Sequence, residues 1–275
     1  MTGQLTYAVT GSASGIGRAA VQLLEARGAR AIGIDVGGAD VVADLGTPAG
    51  RDAATAAVQR LSGGRLDGVI ACAGIGGEDR SRTPAEAIER ARAIVRVNYF
   101  GAIATLAGLR PLLARGAEAG GSVGAAVVTS LVAPVEEGEP LIAACLDGDE
   151  DAAVALAGEQ RYLERKQAYA MSKRAVARWV RRHAPEPGWA GAGISLNAVG
   201  PAVIDTPMGH YLVGTEELRA RVTEGRPMPL RGFGSPEHVA SLLVWMTSPD
   251  NGFVTGQVVF ADGGHDAVTR GDNVW

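Results

Sequence analysis

The chain has 275 residues, 47% hydrophobic and 20% charged, with a formal net charge of −4 and an isoelectric point near 5.6. That content suits one large α/β core, and scattered Lys and Arg on an acidic chain disfavour a nucleic-acid partner. No run of about 18 apolar residues is present to cross a bilayer, the opening MTGQLTYAVTG lacks the basic-then-apolar pattern of a signal peptide, and Cys72 and Cys145 form neither a CxxC motif nor a disulfide framework, so the expectation is a cytoplasmic protein with two buried thiols.

Short apolar runs alternate with helical patterns, the rhythm of a parallel sheet with crossover helices. LTYAVTG reads as the first strand, RAAVQLLEARG as a helix stopped by Gly28, RAIGID as a second strand ending in Asp35, and DVVAD as a short third strand. An Ala-rich helix is predicted from Thr47 to about Ser62, then the buried strand LDGVIACAG, a long helix from Ala85 to about Leu113, and a fifth strand, GAAVVTS. From 131 to 166 the pattern changes to acidic, loop-like or short-helical pieces, EEGEP and LDGDEDAA, which read as an inserted segment. The rhythm returns with a helix around Tyr169, the strand GISLNAV, a polar stretch through 205–230, a helix from Ser235 and a last strand, QVVFAD. No fixed-period repeat, low-complexity tract or linker divides the chain. Residues 1–275 therefore read as a single Rossmann-type, doubly wound α/β domain with an insert at about 131–166, ahead of the helix that carries Tyr169.

The first strand runs directly into TGSASGIG, and a helix follows. Gly11, Gly15 and Gly17 let the backbone turn tightly and approach a pyrophosphate, whose charge is favoured by the exposed amides and dipole of a helix N-terminus. Asp35 ends the second strand about 20 residues later, where an acid accepts hydrogen bonds from the adenosine ribose and repels a 2′-phosphate. No Lys or Arg lies in the glycine loop or directly after Asp35, so NAD(H) is expected over NADP(H).

At this point the chain resembles the short-chain dehydrogenase/reductase family. TGSASGIG is similar to that family's TGxxxGxG turn, which brings Ser14 and Ile16 into the expected cofactor contacts beside the three glycines. CAG matches the end of its NNAG motif, with Cys72 where asparagine is usual and Ala73 and Gly74 passing close to the cofactor. Asp44 and Leu45 match a pair that contacts adenine in the family. VNYFG, VVTS and YAMSK place Asn98, Ser130, Tyr169 and Lys173 at the family's catalytic positions. NAVGPAVIDTPM resembles the segment beside the nicotinamide, which implies cofactor contacts for Pro201, Ala202, Ile204 and Thr206. There the family's PG appears as Pro201 and Ala202, and a positive φ at that glycine would strain alanine. The segment 131–166, GIDVGGADVVADLGTPAGRDAA and the ending DGGHDAV look most like the bacterial 3α-hydroxysteroid dehydrogenase/carbonyl reductase branch.

Spacing supports the chemistry independently, because positions i and i+4 share one helix face. Tyrosine ordinarily ionises near pH ~10, and a nearby positive charge favours the phenolate and brings it toward the working range of a general acid/base. Tyr169 is thus expected to exchange the hydroxyl proton and Ser130 to hydrogen-bond the substrate oxygen. The resemblance implies that Lys173, which exchanges protons with solvent through a water positioned by Asn98, also holds the nicotinamide ribose.

The leading expectation is an NAD(H)-dependent oxidoreductase for a hydroxysteroid or a similar bulky alicyclic alcohol. The alternatives are an enzyme for a smaller secondary alcohol, terpenoid or 3-oxoacyl compound, and a nucleotide-sensing module without turnover. Residues 207–229 are the expected lid, with His210, Tyr211, Leu212 and Met228 as candidates for an apolar pocket. The four histidines have no metal-ligand spacing, and no metal is expected. The resemblance further implies a homo-oligomer, dimer or tetramer, built on helices that the insert adjoins.

Overall fold

The computed structural model describes residues 4–76, 83–134, 139–164 and 167–272. Seven strands, β1 (Thr6–Thr10), β2 (Arg30–Asp35), β3 (Val41–Val42), β4 (Gly68–Ala71), β5 (Val123–Val128), β6 (Ile194–Pro201) and β7 (Val258–Ala261), form one sheet in the order β3-β2-β1-β4-β5-β6-β7. All pairings are parallel. The chain leaves the centre toward β3, then returns to β4 and continues outward, so the strand order switches between β1 and β4. A crevice opens at such a switch point, outside the carboxyl ends of the strands.

The strands read as continuous apolar runs because both faces of the sheet are covered. Successive side chains alternate between faces: Ala8, Val69, Ala125 and Val127 enter one core, while Val9, Ile70, Ala126 and Val128 enter the other. The second core is closed by α1 (Gly15–Ala26) and α11 (Pro236–Thr247). The first, larger core is closed by α2 (Pro48–Leu61), α3 (Pro84–Val95), α4 (Ala102–Glu118) and α8 (Ala168–His183). Local sequence sets the helix starts: Thr47 and Thr83 each accept a backbone N–H of the first turn, with a proline at the first helical position.

Three stretches depart from the sequence reading. The helix expected over 85–113 is broken by a π segment at Arg96–Gly101, a wide turn of the kind often found at functional sites. The short-helical pieces expected before α8 are present as α5 (Glu139–Leu146), α6 (Glu150–Ala157) and α7 (Gln160–Glu164), and what departs from the reading is their burial. Leu141, Ile142, Cys145, Ala153, Ala157 and Tyr162 join the larger core, with α5 packed on α8 and α6 on α3. The polar stretch at 205–230 contains α9 (His210–Val213) and α10 (Glu216–Gly225), and a last helix, α12 (His265–Arg270), lies beyond β7. Among the described residues no helix is long and apolar enough to cross a membrane.

Candidate active site

Each strand that points at the switch point delivers one piece of the site. After β1, Gly11 adopts φ +70, and a Cβ there would lie 3.0 Å from backbone atoms of Ala73, so only glycine lets the two strand ends close together. Thr10 Oγ1 accepts the Ala73 N–H at 3.0 Å and ties the same ends. The α1 N-cap residue, Ser14, makes no capping hydrogen bond, which leaves the first-turn amides for a ligand. At the end of β2, the Asp35 carboxylate accepts the N–H of Ala13 at 2.9 Å and of Val36 at 2.7 Å. Those two bonds hold the acid at the rim without consuming all its acceptor sites.

The π segment aims Asn98 inward, fully buried. Its Oδ1 accepts the Ile75 N–H at 2.8 Å and its Nδ2 donates to the Ile75 carbonyl at 3.1 Å. On α8, Lys173 is 4% exposed and its Nζ donates to the Val128 carbonyl at 2.9 Å. Thr129 Oγ1 donates to the Lys173 carbonyl at 2.7 Å, joining β5 to the helix. The ammonium lies 6.0 Å from the centroid of the Tyr169 ring. Burial pushes Lys173 down from 10.5 to about 8, with a smaller opposing influence from Cys72. Burial also pushes the Cys72 thiol up to about 12, Lys173 opposing, so that thiol is neutral at pH 7.

All the residues assigned to the cofactor line one cleft of about 850 Å³, as do Ser130, Tyr169 and Lys173. Asn98 stands behind the wall: a Cβ on Gly74 would lie 3.1 Å from Asn98 Oδ1 and 3.6 Å from Lys173 Nζ. Ala202 has no positive φ, Arg231 being the one non-glycine residue with that geometry among the described residues, so alanine fits where strain was in question. The lid expectation needs correcting. Leu212 lines the cleft, but Met228 is buried against Val203, Val213 and Val222 in a small core of the lid's own, and exposed His210 stands off the cleft. The Tyr211 side chain lies outside the described residues. Sequence reasoning missed Val132, Met208 and Arg226, which also line the cleft. Val132 and Arg226 fall in no motif, Met208 closes the segment NAVGPAVIDTPM without being singled out in it, and the fold brings all three to the cleft.

The cleft fits a dinucleotide on its own evidence. Helix-start amides without a side-chain cap, a rim carboxylate and a glycine, Gly74, where a Cβ would crowd Asn98 all line it. A family model described as short chain dehydrogenase matches residues 6–139, and one described as enoyl-(acyl carrier protein) reductase matches 147–266. The 3-alpha-hydroxysteroid dehydrogenase/carbonyl reductase of Comamonas testosteroni is 35% identical over 95% of this chain and 96% of its own length. The chain belongs to the short-chain dehydrogenase/reductase family. Among other members, the cis-4-hydroxycyclohexanecarboxylate dehydrogenase of Sinomonas cyclohexanicum is 29% identical over 94% of this chain and 96% of its own. The crystal structure of the 3-alpha-hydroxysteroid dehydrogenase from Pseudomonas sp. B-0831 complexed with NADH superposes with a TM-score of 0.85 at 38% identity, covering 97% of this chain and 99% of that one. As a short-chain dehydrogenase/reductase the protein is an oxidoreductase acting on CH–OH groups with a nicotinamide cofactor.

Proposed function

We propose that the enzyme interconverts a secondary alcohol and its ketone with NAD(H), and that its substrate is a hydroxysteroid or a similar bulky alicyclic alcohol. The reaction reading rests on one arrangement: Ser130 from the end of β5 and Tyr169 and Lys173 from one face of α8 line the same cleft. When bound, the nicotinamide supplies the hydride acceptor or donor. As the phenolate, Tyr169 takes the alcohol proton in oxidation, and as the phenol it returns that proton in reduction. Ser130 donates to the substrate oxygen, an interaction worth roughly 3 kcal/mol when it is stronger in the transition state. Lys173 biases the phenol toward its anion and faces the nicotinamide ribose. Asn98 and Lys173 present polar atoms to the same spot beside Gly74, where a water passes protons outward. Gly11, Ser14, Gly15, Ile16 and Gly17 hold the pyrophosphate, and Asp44 and Leu45 face the adenine. Ala73, Gly74, Pro201, Ala202, Ile204 and Thr206 line the remainder. Asp35 selects NAD(H), because its carboxylate meets a ribose hydroxyl well and a 2′-phosphate badly.

The substrate reading is supported by apolar residues that line the cleft, Leu131 and Val132 after β5, Val203 after β6, and Met208 and Leu212 from the lid. Whole-length similarity to two 3α-hydroxysteroid dehydrogenases points the same way. One observation favours a second reading, an alicyclic alcohol that carries a carboxylate. Arg226 at the end of α10 lines the cleft half-buried and makes no side-chain hydrogen bond or ion pair to a described residue, and a relative acts on a hydroxycyclohexanecarboxylate. Initial rates on steroid, terpenoid and small alicyclic alcohols, with and without a carboxylate, test both readings with NAD⁺ and NADP⁺. A neutral steroid with NAD⁺ is expected to give the highest kcat/KM. Preference for NADP⁺ would overturn the role of Asp35, and a carboxylate preference abolished by Arg226→Met would favour the second reading.

A further inference from the structure

The segment that interrupts the fold between β5 and α8 reaches the far end of the cleft through one side chain. Arg51, in the first turns of α2, donates from Nε to the Leu45 carbonyl at 2.9 Å. Its other two nitrogens donate to Glu150 at the start of α6, Nη1 to Oε2 at 2.7 Å and Nη2 to Oε1 at 2.6 Å. Both side chains are mostly shielded, at 11% exposure for Arg51 and 25% for Glu150, and the guanidinium lies 5.9 Å from the centroid of the Phe100 ring on the π segment. A bidentate, charge-assisted pair of this kind fixes the guanidinium in its plane. The third donor is thereby aimed at Leu45, whose side of the loop lines the cleft beside Asp44. The loop also carries its own local bonds: Asp44 Oδ1 accepts the Gly46 N–H at 2.8 Å, and Thr47 Oγ1 donates to the Asp44 carbonyl at 3.0 Å.

We propose that the segment between β5 and α8 braces the adenosine end of the cofactor cleft, with Glu150 acting through Arg51 to position the Asp44–Leu45 loop. Arg51 and Glu150 are positioning residues, and neither touches the reacting atoms. A second tie from the same segment supplies the contrast. Arg178 on α8 donates to both carboxylate oxygens of Glu139 at 2.9 Å. That pair also fastens the segment to the body, but it has no line to the adenosine loop.

The inference rests on the reading of the cleft as a dinucleotide site, and ADP-ribose is the probe, since its binding does not depend on any alcohol substrate. In isothermal titration calorimetry, Glu150→Gln is expected to weaken ADP-ribose by about fivefold, the order a shielded charge-assisted pair supplies. Glu139→Gln is expected to leave it within about twofold. Arg51→Met should cost at least as much as Glu150→Gln, and the double variant no more than Arg51→Met alone, because one bridge is lost only once. In steady state the loss should fall on the KM for NADH. Equal weakening by Glu150→Gln and Glu139→Gln would overturn the brace, as would unchanged binding in Glu150→Gln. Failure of the unaltered enzyme to bind ADP-ribose would instead overturn the dinucleotide reading, and the brace with it.

Discussion

Lys173 is expensive for this fold to keep. Its side chain is buried with Val128 as the single described hydrogen-bond acceptor for Nζ, and desolvation holds it near 8 against an ordinary 10.5. A folded value below the unfolded one means that the unfolded chain binds the proton more tightly. The cost is therefore full below about pH 8 and fades as pH rises toward 10.5. It amounts to about 3 kcal/mol, one pH unit being worth about 1.4. Lys173→Met keeps most of the packing stem and strands one carbonyl acceptor at about 1 kcal/mol. It should raise the urea midpoint at pH 7, with a gain that shrinks toward pH 10, while turnover is lost. Equal destabilisation at both pH values would contradict this. A buried cation retained at such a cost is what a site that trades stability for chemistry contains.

At the scale of elements, the three helices before α8 are part of the core. Leu141 is fully buried, and Leu141→Ala should cost about 2–5 kcal/mol by urea denaturation, as for other buried leucines. A loss under about 0.5 kcal/mol, normal for a surface position, would show the segment to be a loose appendage. The strands were legible because burial on both faces forces continuous apolar runs. The motif residues could be placed in one cleft because Thr10, Asp35, Ala71, Val128 and Pro201 all end their strands at the same edge of a parallel sheet. Short-helical pieces were legible at 139–164, but their burial was not: each helix is short, and its apolar face is completed only by α3 and α8. The π turn was hidden too, since nothing in VNYFG breaks helical periodicity. Within it, Asn98 makes two tertiary hydrogen bonds to Ile75, which local sequence does not reveal. Arg226 and the small lid core around Met228 were missed for the same reason, because contacts within 202–233 depend on how α9 and α10 fold back.

For the molecule as a whole, the segment between β5 and α8 covers faces of α3 and α8 within its own chain. A second copy docking on the catalytic helix would have to meet that segment instead. We propose a homo-oligomer assembled around it, and mass in solution at micromolar concentration distinguishes a dimer or tetramer from a monomer. In the proposed reaction Tyr169 is the group that moves the proton. The direct test is Tyr169→Phe, read twice: NADH binding by fluorescence, and alcohol oxidation at the NADH absorbance band. The expected result is unchanged NADH affinity with turnover lower by a hundredfold or more, the order of a missing general acid/base. Turnover close to that of the unaltered enzyme would contradict the mechanism.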